Sequence, residues 1–241
     1  MIIPKKSLGQ NFLIDKNIIK KITNQTNIEN ENIVEIGPGL GNLTDFIIIK
    51  KPKTLILIEK DLTLFNYLKK KYKDQKNIQI INTDVLKYNF TKLNNIKIIS
   101  NLPYNLSTKI ILKLIFNNKN IKIIICMIQK ELAEKFDYKK IKMNKYKFII
   151  QICANYEMLF NVSNKVFYPK PKVNSKIVKF KLKNIKIDKN KLLNFTNKIF
   201  KNRRKHLRNK IKNSSLIDEK ILSKRVEELS YSELLKIYNI F

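Results

Sequence analysis

Short runs of β-branched and other apolar residues alternate with helix-like segments through most of this chain. Seven such runs predict strands, and in chain order they span residues 33–37, 54–59, 78–84, 96–100, 121–128, 156–162 and 175–182. Between the first five runs, helices are predicted around residues 41–51, 61–73 and 105–117. Strands that alternate with helices form βαβ units, so the pattern predicts an α/β fold with a mostly parallel sheet.

The end of the chain follows a different pattern. The last two predicted strands are joined by NKVFYPKPKVN, which is too short for a crossover helix, so we expect an antiparallel pair at one edge. Beyond residue 184 only helical segments remain, and they are predicted at 188–201, 204–212, 216–225 and 231–239, with Ser214, Asp218 and Ser230 as caps or turns. We therefore expect an α/β domain over residues 1–183 and a small all-α domain over residues 184–241.

Composition limits the class of protein and its partners. The chain has 241 residues, 44% of them hydrophobic, which is enough for one core with a small appendage. The formal charge of +31 favours a nucleic-acid partner, because a basic surface attracts polyanions. No apolar run approaches the ~20 residues of a membrane span, and the N-terminus MIIPKKSLGQNF does not resemble a signal peptide. We expect a cytoplasmic protein.

The sequence offers little material for a metal centre. Cys126 and Cys153 both lie in apolar segments, which favours buried thiols over a disulfide or metal ligands. His206 is the one histidine in the chain, and it belongs to no cluster of cysteine and histidine residues. We therefore expect that the protein binds no metal.

Three of the four glycines fall in one motif, VEIGPGLGNLT, at residues 34–44. A strand there runs into a turn that opens a helix, and the spacing E-x-G-x-G-x-G places Gly37 and Gly39 behind the acid Glu35. Glycine allows close backbone approach to a ligand. A leading acid would oppose a pyrophosphate and suits the cationic sulfonium and amino group of S-adenosylmethionine (SAM). The alternative is a glycine turn that binds no ligand.

Two further acids end the next two strands. Glu59 ends the second strand at the position where an acid holds ribose hydroxyls, and Asp84 follows the third strand, where it can accept a hydrogen bond from the adenine amine. Each acid alone is a weak signal, but the three acids beside a glycine turn indicate an adenosyl site. Together with the reversed last strand, they predict the Rossmann-like fold of class I SAM-dependent methyltransferases.

The segment NLPY follows the fourth strand, at the same edge of the sheet. The carboxamide oxygen of Asn101 and the carbonyl of Leu102, which Pro103 helps to aim outward, could accept the hydrogens of an adenine amine. Tyr104 supplies a ring on which the base can stack. Methyl transfer would then depend on positioning and electrostatics rather than on a strong base. A proline-terminated strand with a core tyrosine is the alternative for any such segment in isolation.

The whole chain resembles the small-subunit (16S) ribosomal RNA adenine N6,N6-dimethyltransferases. The motifs that carry the resemblance are KKSLGQNFLID, VEIGPGLGNLT, IEKD, NTDVL, NLPYNLST, QKELAEKF, FYPKPKVNS and FKNRRKHLRN. The resemblance implies that Asn11 and Leu13 help to hold SAM, together with the glycine turn, the strand-end acids and Asn101. It also implies that Phe167 stacks on a flipped adenine opposite Tyr104; without the family, Phe167 could equally be a core residue.

The resemblance also implies the substrate, which is the 3′-terminal hairpin of small-subunit rRNA in a pre-30S particle. Arg203, Arg204, Lys205 and Arg208 would grip RNA phosphates, since arginine forks bind phosphate better than lysine does. A solvated helix face is the alternative for such a run of charges. The enzyme would act as a monomer. Two other functions stay open, namely a large-subunit (23S) rRNA methyltransferase of the macrolide-resistance type and a ribosome-assembly factor without turnover.

One segment departs from the family's pattern. NKYKFII, residues 144–150, has Lys147 where the family usually has a glycine, and the loop before it is shortened. We expect this change to affect the geometry of the loop and its contact with RNA rather than the chemistry of the site.

Overall fold

The structure, a computed structural model, describes residues 4–5, 9–139, 142–186, 188–211 and 217–241. Its strands are β1 (Phe12–Leu13), β2 (Asn32–Ile36), β3 (Thr54–Glu59), β4 (Ile78–Asn82), β5 (Ile96–Asn101), β6 (Ile121–Gln129), β7 (Ala154–Val162), β8 (Phe167–Tyr168) and β9 (Ser175–Leu182). Its α-helices are α1 (Lys16–Thr23), α2 (Asn42–Ile49), α3 (Leu62–Lys71), α4 (Ser107–Ile115), α5 (Lys130–Phe136), α6 (Lys145–Cys153), α7 (Lys189–Phe200), α8 (Glu219–Leu222) and α9 (Tyr231–Ile240).

Seven strands form one sheet in the order β4-β3-β2-β5-β6-β9-β7. Strands β2 to β6 run parallel to one another, whereas β9 runs antiparallel to both β6 and β7. The seven predicted strands, the reversed last strand and the antiparallel pair at one edge are all confirmed. Strands β1 and β8 form a separate two-stranded ribbon that the sequence did not predict.

The sheet is covered on both faces, which explains why its strands read as continuous apolar runs. Successive residues of a strand point to opposite faces, so Ile33 packs with Leu55 and Ile99 in one buried cluster, and Val34 packs with Ile98 in the other. Helices α1, α2 and α3 contribute to the first cluster, and α4, α6 and the C-terminal helices contribute to the second.

Helix α6 contains the residue at which the sequence departs from the family's pattern. Asn144 caps the helix by accepting hydrogen bonds from the backbone N–H groups of Tyr146 and Lys147. Lys147 is buried, and its ammonium group donates to the carbonyl oxygen of Lys142 at 2.6 Å. The lysine therefore lies in the first turn of a regular helix, and a backbone carbonyl of the segment before the helix accepts a hydrogen bond from its ammonium group.

The C-terminal helices pack on α6 through aromatic contacts, as in the pair Phe148–Phe195, whose ring centroids are 5.5 Å apart. The helix predicted over residues 204–212 is wrong for residues 204–211, which contain turns and a short 3₁₀ segment at Leu207–Asn209. The reason is a competing set of backbone contacts, because His206 forms a β-bridge with Arg225 and Leu207 donates to the carbonyl of Lys224 at 2.9 Å.

Of the helix predicted over residues 216–225, the structure describes residues 217–225, and within these α8 spans only Glu219–Leu222. The predicted caps Asp218 and Ser230 are confirmed at the starts of α8 and α9, whereas Ser214 lies outside the described residues. The predicted domain boundary after residue 183 falls between β9 and α7.

The described part of the chain contains no helix with the length and apolar character to cross a bilayer. Within the same residues, no group of three or more histidine, cysteine, aspartate or glutamate side chains could hold a metal ion. Cys126 and Cys153 are free and buried, and burial raises the pKa of both thiols.

Candidate active site

A cleft of about 290 Å³ lies at the carboxyl ends of strands β2 to β5. Ligands of open α/β sheets bind at this edge, where loops from successive strands converge. Among the residues that line the cleft are ten of the predicted cofactor-binding and catalytic residues: Asn11, Leu13, Gly37, Gly39, Glu59, Asp84, Asn101, Leu102, Pro103 and Tyr104. Residues separated by as many as 93 positions in the sequence therefore meet around one cavity.

The glycine turn shapes one wall of the cleft. Gly37 has φ +64°, and no heavy atom lies within 4 Å of the position where a Cβ would stand, so the backbone borders open space there. Gly39 has φ +61°, and a Cβ at that residue would lie only 2.9 Å from the ring of Phe12. The first glycine leaves room for a ligand, and the second leaves room for the N-terminal segment that covers the turn.

Glu35 lies beneath this turn at the end of β2. Its side chain is almost fully buried, and it accepts a hydrogen bond of 2.7 Å from the Thr44 hydroxyl. Burial raises the pKa of Glu35 to about 8, because the charged form is poorly solvated there. Burial therefore favours the protonated form of this carboxyl near neutral pH. A cationic ligand in the cleft would favour loss of that proton.

Glu59 is held by backbone donors at the end of β3. One carboxylate oxygen accepts from the N–H of Asp61 at 2.8 Å, and the other accepts from the N–H of Gly39 at 3.3 Å. Burial raises the pKa of Glu59 despite these hydrogen bonds. Each carboxylate oxygen has a second lone pair, so Glu59 can still accept hydrogen bonds from ligand hydroxyls.

Asp84 is already engaged by two donors. Its carboxylate accepts from the N–H of Leu86 and from the ammonium of Lys60, both at 2.9 Å. The Leu86 hydrogen bond and, after it, Lys60 lower the pKa of Asp84, so this side chain is an ionised acceptor. Lys60 also lines the cleft, although no role was predicted for it. Its position between Glu59 and Asp61 in IEKD was the available signal.

The N-terminal segment is fastened over the cleft by side-chain amides. Asn101 donates through Nδ2 to the carbonyl oxygen of Asn11 at 2.9 Å, and Asn42 donates in the same way to the carbonyl of Leu13 at 2.7 Å. The donors of these two hydrogen bonds belong to different elements, β5 and α2. The hydrogen bonds hold Asn11 and Leu13 in place. They join residues that are far apart in the sequence, so a short sequence motif does not predict them.

A third attachment of this segment involves a buried acid that sequence reasoning missed. Asp61 forms a salt bridge of 2.9 Å with Lys5 and accepts from the Gln10 amide at 3.1 Å. Although burial alone would raise the pKa of Asp61, the hydrogen bonds from Lys5 and Gln10 lower it overall. Asp61 also caps α3, so one carboxylate links the N-terminal segment to the loop that carries Glu59.

The NLPY segment forms a turn that leads into α4. The N–H of Leu102 donates to the Met127 carbonyl at 3.3 Å, and the Pro103 carbonyl accepts from the Ser107 hydroxyl at 2.9 Å. No donor in the described part of the chain reaches the Leu102 carbonyl oxygen or the Oδ1 atom of Asn101. Because the Asn101 amide donates its N–H to the N-terminal segment, its oxygen is left as a free acceptor.

Tyr104 is fixed by a contact with the last strand of the sheet. Its hydroxyl lies 2.6 Å from the hydroxyl of Ser175, which begins β9. Burial raises the pKa of Tyr104, so the phenol stays neutral near physiological pH. The contact limits rotation of the ring and joins the NLPY turn to the segment before β9.

Phe167 does not line the cleft in this structure. It lies in β8 opposite Leu13 and is buried in the hydrophobic cluster on the α1–α3 side of the sheet. The proposed stacking of Phe167 on an adenine stays a prediction, and it requires the ring to become uncovered. The next residue, Tyr168, is 60% exposed.

The predicted RNA-binding residues lie in the C-terminal segment and do not line the cleft. Arg203 forms an ion pair of 3.1 Å with Glu227, and Arg208 forms one of 2.7 Å with Glu219. Arg204 and Lys205 are exposed, and neither has an acidic partner within the residues that the structure describes. Arg204 and Lys205 can therefore bind phosphate as they stand, whereas Arg203 and Arg208 would first have to break their ion pairs.

Comparison with known proteins assigns the chain to a family. The sequence matches the family described as "Ribosomal RNA adenine dimethylase" over residues 3–241. The chain belongs to this family. A relative from Hydrogenobaculum sp. (strain Y04AAS1), named "Ribosomal RNA small subunit methyltransferase A", is 39% identical over 246 residues, which cover 99% of this chain and 94% of the relative. The family resemblance read from the motifs is thus confirmed.

Solved structures support the fold. A dimethyladenosine transferase from Plasmodium falciparum superimposes with a TM-score of 0.80 at 24% identity, covering 95% of this chain and 98% of that one. The 23S rRNA methyltransferase ErmE superimposes with a TM-score of 0.70 at 19% identity, with the same coverage. At these identities the likeness shows the fold, and the predicted class I methyltransferase fold is confirmed.

Proposed function

We propose that this protein is a SAM-dependent dimethyltransferase that modifies the exocyclic amines of two adjacent adenosines in the 3′-terminal hairpin of small-subunit (16S) rRNA. The observation that best supports this function is the NLPY turn. Its two free acceptors, Oδ1 of Asn101 and the carbonyl of Leu102, line the same cleft as the glycine turn, in a chain that belongs to the rRNA adenine dimethylase family. The chain is also 39% identical, over nearly its full length, to a relative named as a small-subunit enzyme.

The residues around the cleft fit SAM by the chemistry of their acceptors. Glu59 suits the ribose hydroxyls, Asp84 suits the adenine amine, and Glu35 suits a cation after losing its proton. The open space beside Gly37 admits the ligand close to the backbone. Asn11, Leu13, Gly39 and Asn101 complete the proposed binding set. When bound, SAM supplies a methyl group activated by its sulfonium.

The NLPY turn would prepare the target amine for attack. The free oxygen of Asn101 and the carbonyl of Leu102, aimed outward with the help of Pro103, each accept one amine hydrogen and turn the nitrogen lone pair toward the methyl carbon. The nitrogen would then take the methyl group that bound SAM supplies. The nitrogen then releases a proton to water, so no strong base is needed. Tyr104 holds the base by stacking, and Phe167 is proposed to stack on the opposite side.

The rest of the chain would hold the ribosomal substrate. We assign residues 1–183 to catalysis and residues 184–241 to RNA binding, with Arg203, Arg204, Lys205 and Arg208 at phosphates. The ion pairs of Arg203 and Arg208 imply that Arg204 and Lys205 make the first contacts. We propose that the enzyme acts as a monomer on a pre-30S particle in the cytoplasm.

Incorporation of labelled methyl groups into separate ribosomal subunits tests this function. The purified protein is incubated with labelled SAM and with 30S or 50S subunits from cells that lack the enzyme. We expect label in 30S subunits only. Label confined to 50S subunits would indicate the macrolide-resistance type of enzyme, and no label in either would indicate an assembly factor without turnover; either result would contradict the proposal.

A further inference from the structure

The β1–β8 ribbon has two faces that differ in exposure. In its antiparallel register Leu13 stands opposite Phe167, and Phe12 stands opposite Tyr168. Residues that are directly opposite share a face, so Leu13 and Phe167 occupy the buried face, and Phe12 and Tyr168 occupy the other. The ring of Phe12 packs beside Gly39 and lines the cleft. Tyr168 therefore lies on the face of the ribbon that turns toward the cleft.

Tyr168 is an exposed aromatic side chain just beyond the residues that line the cleft. Tyr168 is 60% exposed, whereas Phe12, which stands opposite it and lines the cleft, is buried. The ribbon continues for one more hydrogen bond, from the N–H of Ile14 to the carbonyl of Val166 at 3.0 Å. Ile14 lies on the same face as Phe12 and is also exposed, so an apolar surface with an aromatic ring extends outward from the cleft.

The surroundings of this ring are positively charged. Lys165, Lys170 and Lys172 are exposed, and the sequence has no acidic residue from 158 to 186. None of these three ammonium groups pairs with an acid in the described ranges. An exposed aromatic ring among unpaired lysines is the arrangement that binds single-stranded nucleic acid, in which bases stack on rings and phosphates meet cations.

The segment that carries Tyr168 is also joined to the predicted catalytic turn. It ends at Ser175, whose hydroxyl is 2.6 Å from that of Tyr104. Tyr168 also stands opposite Phe12, which lines the cleft, so a base bound at Tyr168 would be a neighbour in the RNA chain of an adenine held in the cleft. Extracting a target adenine from its stack leaves the neighbouring base without a stacking partner, which is a free energy penalty that a second ring can offset.

We propose that Tyr168 is a stacking platform for an unpaired base that neighbours the target adenosine, with Lys165, Lys170 and Lys172 at the adjoining phosphates. This inference rests on the proposed function and adds a substrate-positioning residue outside the cofactor cleft. Tyr168 does not touch the reacting atoms. It acts on the affinity for RNA and on the placement of the target base.

Steady-state methylation of 30S subunits by Tyr168 variants tests the proposal. Loss of one base–aromatic stack in Tyr168→Ala should raise KM for 30S subunits about tenfold or more, with a smaller change in kcat. Tyr168→Phe and Tyr168→Trp keep a ring and should stay within about threefold of the wild type. Tyr67→Ala removes a partly exposed aromatic ring from α3 and is the matched control, which should leave KM unchanged.

Calorimetric titration with SAM and thermal melting separate this role from a structural one. Tyr168→Ala should keep the wild-type affinity for SAM and the wild-type melting temperature, because its side chain is exposed. An unchanged KM in Tyr168→Ala, or an increase in KM in Tyr168→Phe equal to that in Tyr168→Ala, would overturn the stacking role. If wild-type protein failed to methylate 30S subunits, the proposed function itself would fail instead.

A photoreactive benzophenone side chain introduced at residue 168 identifies the partner. After irradiation of the complex with 30S subunits, we expect an adduct on rRNA close to the methylated adenosines. An adduct confined to a ribosomal protein would overturn the proposal by showing that this surface binds protein.

Discussion

Replacement of Asn101 by alanine separates two roles that the structure gives to one side chain. The Asn101 amide donates to the carbonyl of Asn11 at 2.9 Å, and its oxygen is a free acceptor at the cleft. Loss of the first hydrogen bond should cost about 1 kcal/mol and weaken SAM binding roughly fivefold. Loss of an acceptor that holds the amine in the transition state should lower kcat by about 10²–10³.

The matched control is Asn42→Ala. Asn42 makes the same kind of hydrogen bond to the same N-terminal segment, donating to the carbonyl of Leu13 at 2.7 Å, but it belongs to α2 rather than to the NLPY turn. We therefore expect a similar loss of SAM affinity with kcat within about threefold of the wild type. Calorimetry with SAM and single-turnover methylation of 30S subunits measure the two effects. Equal values of kcat for Asn101→Ala and Asn42→Ala would refute the acceptor role.

Three further predictions concern charge and backbone geometry. Because the pKa of Glu35 is about 8, binding of a cationic ligand should release its proton, and the affinity for SAM should rise with pH up to about 8. Calorimetry in buffers of different ionisation enthalpy should detect this proton release in the wild type but not in Glu35→Gln. Arg204→Ala should weaken 30S binding and leave the melting temperature unchanged. Arg203→Ala should lower the melting temperature, because it removes the ion pair with the buried carboxylate of Glu227. Equal melting temperatures for the two variants would contradict this difference. Gly39→Ala should lower stability by about 1 kcal/mol or more in denaturant unfolding, since φ is +61° and its Cβ would meet an aromatic ring at 2.9 Å; unchanged stability would contradict that strain.

The sign of the Glu35 effect on stability follows from the same pKa. The folded-state pKa of about 8 lies above the ordinary value of 4.5, so the folded protein binds more protons than the unfolded chain between these pH values. The contribution of Glu35 to the free energy of unfolding is therefore largest below pH 4.5 and falls as pH rises through 8. Denaturant unfolding at several pH values measures it, and Glu35→Gln should remove this part of the dependence.

Sequence patterns predicted the sheet well because its strands are buried on both faces. The run TLILIE forms β3 over the predicted range, and every residue after Thr54 is buried, as expected of a strand that is covered on both faces. The C-terminal segment was harder, because RRKHLR has helical propensity but exchanges it for backbone contacts with the segment near Arg225. Tertiary contacts override weak local preference there.

The sequence predicted which residues line the cleft, but it did not predict the hydrogen bonds that join them. Residues in compact motifs, such as Gly37 and Asn101, line the cleft as expected. The hydrogen bonds that orient them join residues 29 to 90 positions apart, as between Asn42 and Leu13 or between Asn101 and Asn11. No local pattern encodes such pairs. The burial that raises the pKa of Glu35 likewise depends on the packed structure and not on its motif.

Mapping of the modified nucleosides tests the central claim most directly. After reaction of 30S subunits from cells that lack the enzyme with the purified protein and SAM, nuclease fragments of the 16S rRNA are analysed by mass spectrometry. We expect two methyl groups on the exocyclic amine of each of two adjacent adenosines in the 3′-terminal hairpin, and none elsewhere. Methylation at any other nucleoside, or the absence of methylated adenosine in that hairpin, would contradict it.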